Sequence, residues 1–181
     1  HAHAVWKHLW RLFPWTLAGV VLGWFCMGKL DEAQTRHLIG LIVLVLVLFQ
    51  LLQRWKKDLF PPMHGMVYVA LMGLSAGFTT LVANAAGPIM LLYLLATGLP
   101  KMEFMGTGAV YFLILNCAKV PFIYSLGLID FSSLSIDLAL APAAAAGALF
   151  GKRLLPHINQ KAFEALALAA TIAAAAKLLL W

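Results

Sequence analysis

A lysine and an asparagine stand deep inside a long apolar stretch of the sequence. Asn116 and Lys119 lie three residues apart in GTGAVYFLILNCAKVPFIYSLG, and this spacing places both side chains on one face of a helix. An ionisable side chain in an apolar span is costly, and it usually faces a cavity or the interior of a helix bundle. The ammonium group of Lys119 could bind an anion that Asn116 orients. In the alternative interpretation, Lys119 extends towards the nearer interface and Pro121 kinks the helix.

A second set of polar and small residues interrupts another apolar stretch, GFTTLVANAAGPIMLLYLL. Pro88 has no backbone N–H to donate, so a helix that begins there leaves amide groups unpaired at its N-terminus. These amides and the positive end of the helix dipole favour an anion. The predicted substrate-binding residues of this segment are Thr79, Thr80, Asn84, Gly87 and Pro88. Alternatively, Asn84 stabilises a proline kink and the small residues permit close helix packing.

Patterns typical of catalytic and metal-binding sites are missing from the sequence. No H-E-x-x-H or C-x-x-C pattern occurs, and the six histidines stand in loops or at the edges of apolar stretches. Cys26 and Cys117 are expected to be packing residues. Four acidic residues fall near the ends of apolar stretches: Glu103, Asp130, Asp137 and Glu164. The sequence therefore predicts no metal, no cofactor and no enzymatic activity.

The composition indicates what kind of molecule positions these residues. Hydrophobic residues make up 63% of the chain and charged residues 11%, and the mean hydropathy is +0.90. A soluble domain of 181 residues could not bury so much apolar surface, so the lipid bilayer is the expected partner. The net charge of +6 comes from basic residues spread between apolar stretches without a basic stripe, which argues against nucleic acid as a partner.

Six apolar stretches run through the chain, and five have the length of a single membrane crossing. They cover roughly Leu12 to Gly28, Leu38 to Leu52, Met66 to Thr97, Met105 to Ser125, Leu134 to Phe150 and Ala162 to Leu180. The third has 32 residues and is broken near its middle, which predicts two shorter helices of about 17 and 10 residues that meet at a turn. The predicted fold class is an all-α membrane protein, a polytopic bundle of transmembrane helices with a broken-helix hairpin.

The distribution of charge predicts the orientation of the chain, because short cytoplasmic loops collect Lys and Arg. Three basic segments are placed in the cytoplasm: Lys7 with Arg11, Arg54 with Lys56 and Lys57, and Lys152 with Arg153 and Lys161. The loops around Asp31 and Asp130 lack a basic excess and are placed outside. Each single crossing takes the chain from one side of the membrane to the other. These loop positions are therefore consistent only if the hairpin begins and ends in the cytoplasm. The opening segment is then cytoplasmic, and the C-terminus is periplasmic or extracellular.

An internal repeat is indicated by the spacing P-x4-G-x3-G, which occurs at Pro14, Gly19 and Gly23 and again at Pro142, Gly147 and Gly151. The predicted orientation gives the two copies opposite directions across the membrane, and inverted repeats are a common plan of secondary transporters. Residues 1–60 are predicted to be the last two helices of a first repeat whose start is missing before His1. Residues 61–181 are predicted to be the second repeat, with the hairpin at 66–97 and helices at about 105–125, 134–150 and 162–180.

The segments GFTTLVANAAGP and GTGAVYFLILNCAKVP together resemble the paired signature of the TauE/SafE family, the sulfite-exporter-like permeases. The resemblance extends from about Leu12 to Trp181 and includes P-x4-G-x3-G and KRLLPHINQKAFE. It implies a bacterial inner-membrane permease of two related halves that moves sulfite, sulfonates or other small organosulfur anions. The family's first half opens with a glycine-rich hairpin motif, and none precedes His1. The positions carried over from the family are Asn84, Gly87, Pro88, Asn116 and Lys119.

These observations predict a permease that exports a small anion, such as sulfite or an organosulfonate. The anion would bind between the hairpin turn and the helix face of Asn116 and Lys119. Two alternatives stay open at this point. One is a structural or accessory membrane subunit in which the small residues serve only helix packing, and the other is an anion channel. The sequence leaves the oligomeric state and the coupling ion open.

Overall fold

Seven α-helices make up the part of the chain that the computed structural model describes, residues 4–27, 29, 32–55, 65–127, 129 and 131–180. They are α1 (Trp6–Cys26), α2 (Glu32–Trp55), α3 (Met66–Ala83), α4 (Ala86–Thr97), α5 (Lys101–Ser125), α6 (Phe131–Leu154) and α7 (Gln160–Leu180). A short 3-10 turn, Leu155–His157, separates α6 from α7, and these described residues contain no β-strand. The predicted all-α fold is confirmed. Four residues used to predict the orientation, Asp31, Lys56, Lys57 and Asp130, lie outside the described residues.

The helices form where the sequence stays apolar over about the thickness of a bilayer. Four apolar helical stretches of the described residues are long enough to cross a membrane: Trp6–Cys26, Met66–Ala83, Lys101–Ser125 and Leu138–His157. Shorter apolar stretches, His37–Leu48 and Ala86–Thr97, lie in α2 and α4. Such stretches are helical because a helix satisfies its interior backbone hydrogen bonds within itself, as the bilayer requires. The protein is therefore a multi-pass membrane protein.

The long third apolar stretch is divided into α3 and α4, as the sequence predicts. α3 has 18 residues and α4 has 12, so their lengths are about 27 and 18 Å at a rise of 1.5 Å per residue. Asn84 and Ala85 form the turn between them. The prediction that the second helix begins at Pro88 is wrong, because α4 begins two residues earlier, at Ala86. Pro88 fits the first turn of a helix, where the amide that it lacks would have no partner.

α1 packs against α3 through glycines on both helices. A Cβ atom added at Gly19 would lie 2.2 Å from the carbonyl oxygen of Leu74, and one added at Gly77 would lie 1.9 Å from that of Thr16. The two backbones are therefore in direct contact, as in other membrane helix pairs that cross at G-x3-G sequences. Neither helix could approach so closely with a larger residue at these positions.

Matched contacts near both ends of α1 show that α3 and α5 run parallel to it. The pairs are Leu12 with Gly73 and Gly23 with Phe78 for α3, and Val5 with Thr107 and Trp24 with Ser125 for α5. α4 connects α3 to α5 and therefore runs in the opposite direction. The hairpin of α3 and α4 thus begins and ends on the side of the bundle where α1 begins.

α4 lies at the centre of the described helices. It packs against α2, α3, α5 and α7. Four consecutive residues, Leu92–Leu95, are buried and together cover a full turn of the helix. A helix that is apolar on all sides is typical of the core of a bundle. In contrast, every described side chain of α6 is exposed.

Candidate functional site

The turn between α3 and α4 is fixed by the backbone of Asn84. Its φ of 53° and ψ of 32° lie in the left-handed region, which asparagine tolerates better than most residues other than glycine. The amides of Asn84 and Ala85 donate to the carbonyl oxygens of Thr80 and Thr79, at 3.0 and 3.1 Å. These bonds satisfy carbonyl groups that the end of α3 would otherwise leave unpaired. The exposed side chain of Asn84 is thereby held at the tip of the hairpin.

Lys119 of α5 reaches this tip. Its ammonium nitrogen donates to Oδ1 of Asn84 at 2.6 Å. Lys119 lies 18 residues after the start of α5, or about 27 Å along the helix. The residue is only 8% exposed. A buried cation thus has a neutral amide oxygen as its partner.

The N-terminus of α4 opens beside this pair. Ala86, Gly87 and Pro88 are its first three residues, and no described side chain caps it. A Cβ atom added at Gly87 would meet no atom of the described residues within 4 Å, so these residues leave open space next to the helix end. Two steps of the chain, at most about 7.6 Å, separate the Cα atoms of Asn84 and Ala86. The tip therefore combines an ammonium group, an amide side chain and backbone N–H groups that have no acceptor within the helix.

The acidic side chains that the structure describes lie away from the tip. Glu103 stands 16 residues before Lys119 on α5, about 24 Å along the helix. Glu164 accepts a hydrogen bond from Gln160 at 2.8 Å, and Gln160 in turn accepts one from the backbone amide of Lys101 at 2.9 Å. Both carboxyl groups are therefore near the root of the hairpin. Among the described side chains, the tip carries an excess of positive charge.

The other predicted site residues lie behind or beside the tip. Thr79 is fully buried, and its hydroxyl donates to the carbonyl oxygen of Ser75 at 2.8 Å. Thr80 is also buried, with 4% exposed. Asn116 is exposed, and no hydrogen bond within the described residues joins it to the tip. The residues that the structure brings together are Asn84, Gly87, Pro88 and Lys119.

The family model described as sulfite exporter TauE/SafE matches residues 1–178. The chain belongs to the TauE/SafE family. The predicted resemblance is therefore confirmed, and the matched range includes both the hairpin tip and the helix of Lys119. No curated protein and no solved structure was found to match the chain. TauE/SafE proteins are membrane transporters, so the protein is a member of a transporter family.

A line of hydroxyl groups in this TauE/SafE protein was not predicted from its sequence. It runs along the buried side of α5, where Thr107 and Tyr111 lie four residues apart and are 0% exposed. Thr107 accepts a hydrogen bond from the amide of Val5 at 2.9 Å, and the hydroxyl groups of Tyr111 and Thr16 lie 3.3 Å apart. Polar residues four apart in an apolar span are the signal that could have identified this line.

A polar contact at the root of the hairpin also lies outside the predicted set. Nδ1 of His8 lies 3.3 Å from the hydroxyl oxygen of Tyr93, with the two rings edge to face. Tyr93 stacks on Tyr68 of α3 with the ring centroids 6.3 Å apart. The contact thus joins α1, α3 and α4. This contact could not be predicted from the sequence, because His8 stands at the edge of an apolar stretch.

Proposed function

We propose that this TauE/SafE protein is a permease that exports a small sulfur oxyanion, such as sulfite or an organosulfonate, across the bacterial inner membrane. The observation that carries the proposal is the hydrogen bond of 2.6 Å from Lys119 to Asn84 at the open tip of the hairpin. The anion binds at this tip, between α5 and the N-terminus of α4.

An anion supplies the charge that the tip lacks. The ammonium group of Lys119 is paired with the amide oxygen of Asn84, which offers a dipole in place of a full negative charge. A buried cation with such a partner is poorly compensated. An incoming oxyanion provides a full charge, and it also accepts from the amides of Ala86 and Gly87 at the positive end of α4. The side-chain NH2 group of Asn84 is a further donor.

The arrangement of donors suits an anion with several oxygens. Sulfite and sulfonate groups carry three oxygens on one sulfur atom. One oxygen can accept from Lys119, one from Asn84 and one from the backbone of α4. Chloride has no separate acceptor atoms that could match these directions. We therefore expect the site to select sulfur oxyanions over chloride.

The basic residues favour one orientation of the chain, and the membrane potential favours one direction of transport. Lys7 and Arg11 near the start of α1, and Lys152 and Arg153 near the end of α6, favour the cytoplasmic side for these helix ends. The hairpin then begins and ends in the cytoplasm, and the end of α7 faces the periplasm. With a negative cell interior, an anion gains about 2.3 kcal/mol per charge per 100 mV when it leaves. Export therefore needs no coupling ion.

Flux of labelled sulfite from proteoliposomes tests the site. Lys119→Ala should lower the flux by about ten-fold or more, because hydrogen bonds to charged groups contribute about 1.5–3 kcal/mol. Asn84→Gly removes the amide group and keeps a residue that adopts a φ of 53° without strain, so the flux should fall while the hairpin stays intact. The matched control is Lys152→Ala, at an exposed lysine of α6, which should transport as the wild type does. Unchanged flux in both site variants would overturn the assignment.

A binding measurement separates transport from a role in packing alone. A ligand that binds only the folded state stabilises it by about 2.7 kcal/mol at a hundred times its Kd. Sulfite should therefore raise the melting temperature of the wild-type protein in detergent, and it should have no effect on Lys119→Ala. If sulfite, thiosulfate and sulfonates all leave the wild-type melting temperature unchanged, a structural or accessory subunit becomes the better explanation.

A further inference from the structure

An apolar groove lies between α1 and α5. Its walls include Trp6, Trp10, Phe13 and Leu17 of α1 and Ile114 and Ala118 of α5, and all of its lining residues are apolar. Its volume is about 240 Å³. An apolar cavity of roughly 150 Å³ already holds a benzene molecule, so a hydrocarbon chain has room in this groove. Trp10 is 72% exposed, so the described residues leave the groove accessible from the surroundings of the bundle.

The length of the groove matches one leaflet of a bilayer. Trp6 and Leu17 are eleven residues apart, or about 16 Å along α1, and this is roughly half of a hydrocarbon core of about 30 Å. The groove begins at the end of α1 that the basic residues favour for the cytoplasm, and tryptophan is typical of the membrane interface. The large side chains in its walls keep another helix from approaching as closely as small residues would allow. The groove therefore fits an acyl chain better than a helix.

Two opposite charges flank the cytoplasmic end of the groove. Lys7 of α1 follows Trp6 and is exposed. Glu103 of α5 stands eleven residues before Ile114, which is close to three full turns, so both lie on the same side of the helix. Neither Lys7 nor Glu103 forms a hydrogen bond or an ion pair with another described residue. The neighbouring cation of α5, Lys101, donates instead to the carbonyl oxygen of Pro156 at 2.9 Å.

The two charges lie at different depths. The amide of Val5 donates to the hydroxyl of Thr107 at 2.9 Å, so these two residues are level. Lys7 comes two residues after Val5, towards the membrane, and Glu103 comes four residues before Thr107, towards the cytoplasm. Because α1 and α5 are parallel, Glu103 lies about 9 Å further out than Lys7. The positive charge is therefore the deeper of the two.

We infer that this groove binds a phospholipid of the cytoplasmic leaflet whose headgroup joins a phosphate to a primary ammonium group, as in phosphatidylethanolamine. In such a lipid the phosphate lies next to the glycerol, and the ammonium group lies further out. This order matches Lys7 and Glu103, since the phosphate meets the lysine and the ammonium group donates to the carboxylate. A choline headgroup has no N–H to donate, and a glycerol headgroup has no positive charge for Glu103.

Photolabelling in phosphatidylcholine vesicles tests the acyl-chain site. The probe is phosphatidylethanolamine with a diazirine in one acyl chain, and labelled residues are identified by mass spectrometry of peptides. Label should concentrate on Phe13, Leu17 and Ile114, and it should exceed the label on exposed residues of α6. Ala118→Phe fills the groove and should lower the groove label to the level of α6. The matched control is Leu113→Phe, because Leu113 is 60% exposed on the same helix and lies outside the groove.

Competition by unlabelled lipids tests the headgroup. Phosphatidylethanolamine should displace the probe at a concentration about five-fold lower than phosphatidylcholine or phosphatidylglycerol, the factor expected for one charge contact at a membrane surface. Lys7→Gln should remove this advantage over phosphatidylcholine. Glu103→Gln should instead let phosphatidylglycerol compete as well as phosphatidylethanolamine, because the repulsion of its phosphate is gone. Lys29→Gln is the control, since Lys29 is exposed beyond the other end of α1.

Three results would each overturn the inference. The first is label spread evenly over exposed residues without saturation, which would show ordinary bulk lipid only. The second is a groove that stays unlabelled in the wild-type protein, which would show that another helix or a second copy covers it. The third is equal competition by the three lipids in the wild-type protein. Lys7→Gln and Glu103→Gln change side chains without described partners, so both variants are expected to fold and to keep the test decisive.

Discussion

Replacing Gly77 by alanine should force α1 and α3 apart. The added Cβ atom would lie 1.9 Å from the carbonyl oxygen of Thr16. Close contacts between carbon and a carbonyl oxygen are about 3.3 Å, so the two backbones would have to separate by the difference, about 1.4 Å. No flexible side chain can relieve the clash, because the atoms that meet the new Cβ belong to the backbone of α1. The crossing would have to open along its length.

The size of the effect can be worked out from this clash. An extra methyl group in a well-packed core typically costs about 1–3 kcal/mol, and a clash with backbone atoms belongs at the upper end of that range. Alanine has a better helix propensity than glycine, and this stabilises the folded protein by at most about 1 kcal/mol. We therefore expect Gly77→Ala to lower the free energy of unfolding by about 2 kcal/mol or more.

Unfolding in mixed detergent and SDS, followed by tryptophan fluorescence, measures this free energy. Gly147→Ala is the matched control, because its Cβ atom would meet none of the described residues within 4 Å and the substitution should be neutral or slightly stabilising. Gly19→Ala, on the other side of the crossing, should be destabilised in the same way as Gly77→Ala. The backbone contact is refuted if Gly77→Ala lies within about 0.5 kcal/mol of the wild type, or if Gly147→Ala is destabilised equally.

Three further predictions concern the tip, the hydroxyl line and the orientation. Asn84→Ala should be about 1 kcal/mol less stable than Asn84→Gly in the same unfolding assay, because a φ of 53° strains alanine, and equal stabilities would show that the turn relaxes. Tyr111→Phe should cost about 1 kcal/mol, because the buried hydroxyl of Thr16 loses its neighbour at 3.3 Å, and wild-type stability would show that this contact contributes nothing. Alkaline phosphatase, which is active only in the periplasm, should be active when fused after Gly127 and inactive when fused after Gly98, because α5 crosses between them. The reverse result would invert the proposed orientation.

The division of the third apolar stretch into two helices can be predicted from sequence, because its length and its helix-breaking residues both indicate a division. A stretch of 32 residues is too long for one crossing, and Asn84, Gly87 and Pro88 interrupt it. The start of α4 at Ala86 cannot be placed in the same way. Proline is compatible with several positions in the first turn of a helix, so it limits where the helix begins without fixing the residue.

The partner of Lys119 cannot be predicted from helical spacing. Spacing relates a residue to neighbours on its own helix, so it pairs Lys119 with Asn116. In the structure the partner is Asn84, which lies in the turn between α3 and α4 and is therefore on a different element from Lys119. The glycines show the same limit, because P-x4-G-x3-G indicates a repeat and does not reveal which helix α1 meets. Both contacts depend on tertiary packing.

The contacts of α1 indicate where a transport movement would take place. α1 and α3 touch through backbone atoms at their glycines, and such a contact cannot rearrange without loss of packing. α1 and α5 are joined by side-chain contacts instead, such as the one of 3.3 Å between Thr16 and Tyr111, and hydrogen bonds of this kind exchange at small net cost. We therefore expect α1, α3 and α4 to move as one unit, with α5 as the element that shifts against it. An anion between Lys119 and Asn84 would lie at the junction of the two parts, where alternating access requires a substrate to bind.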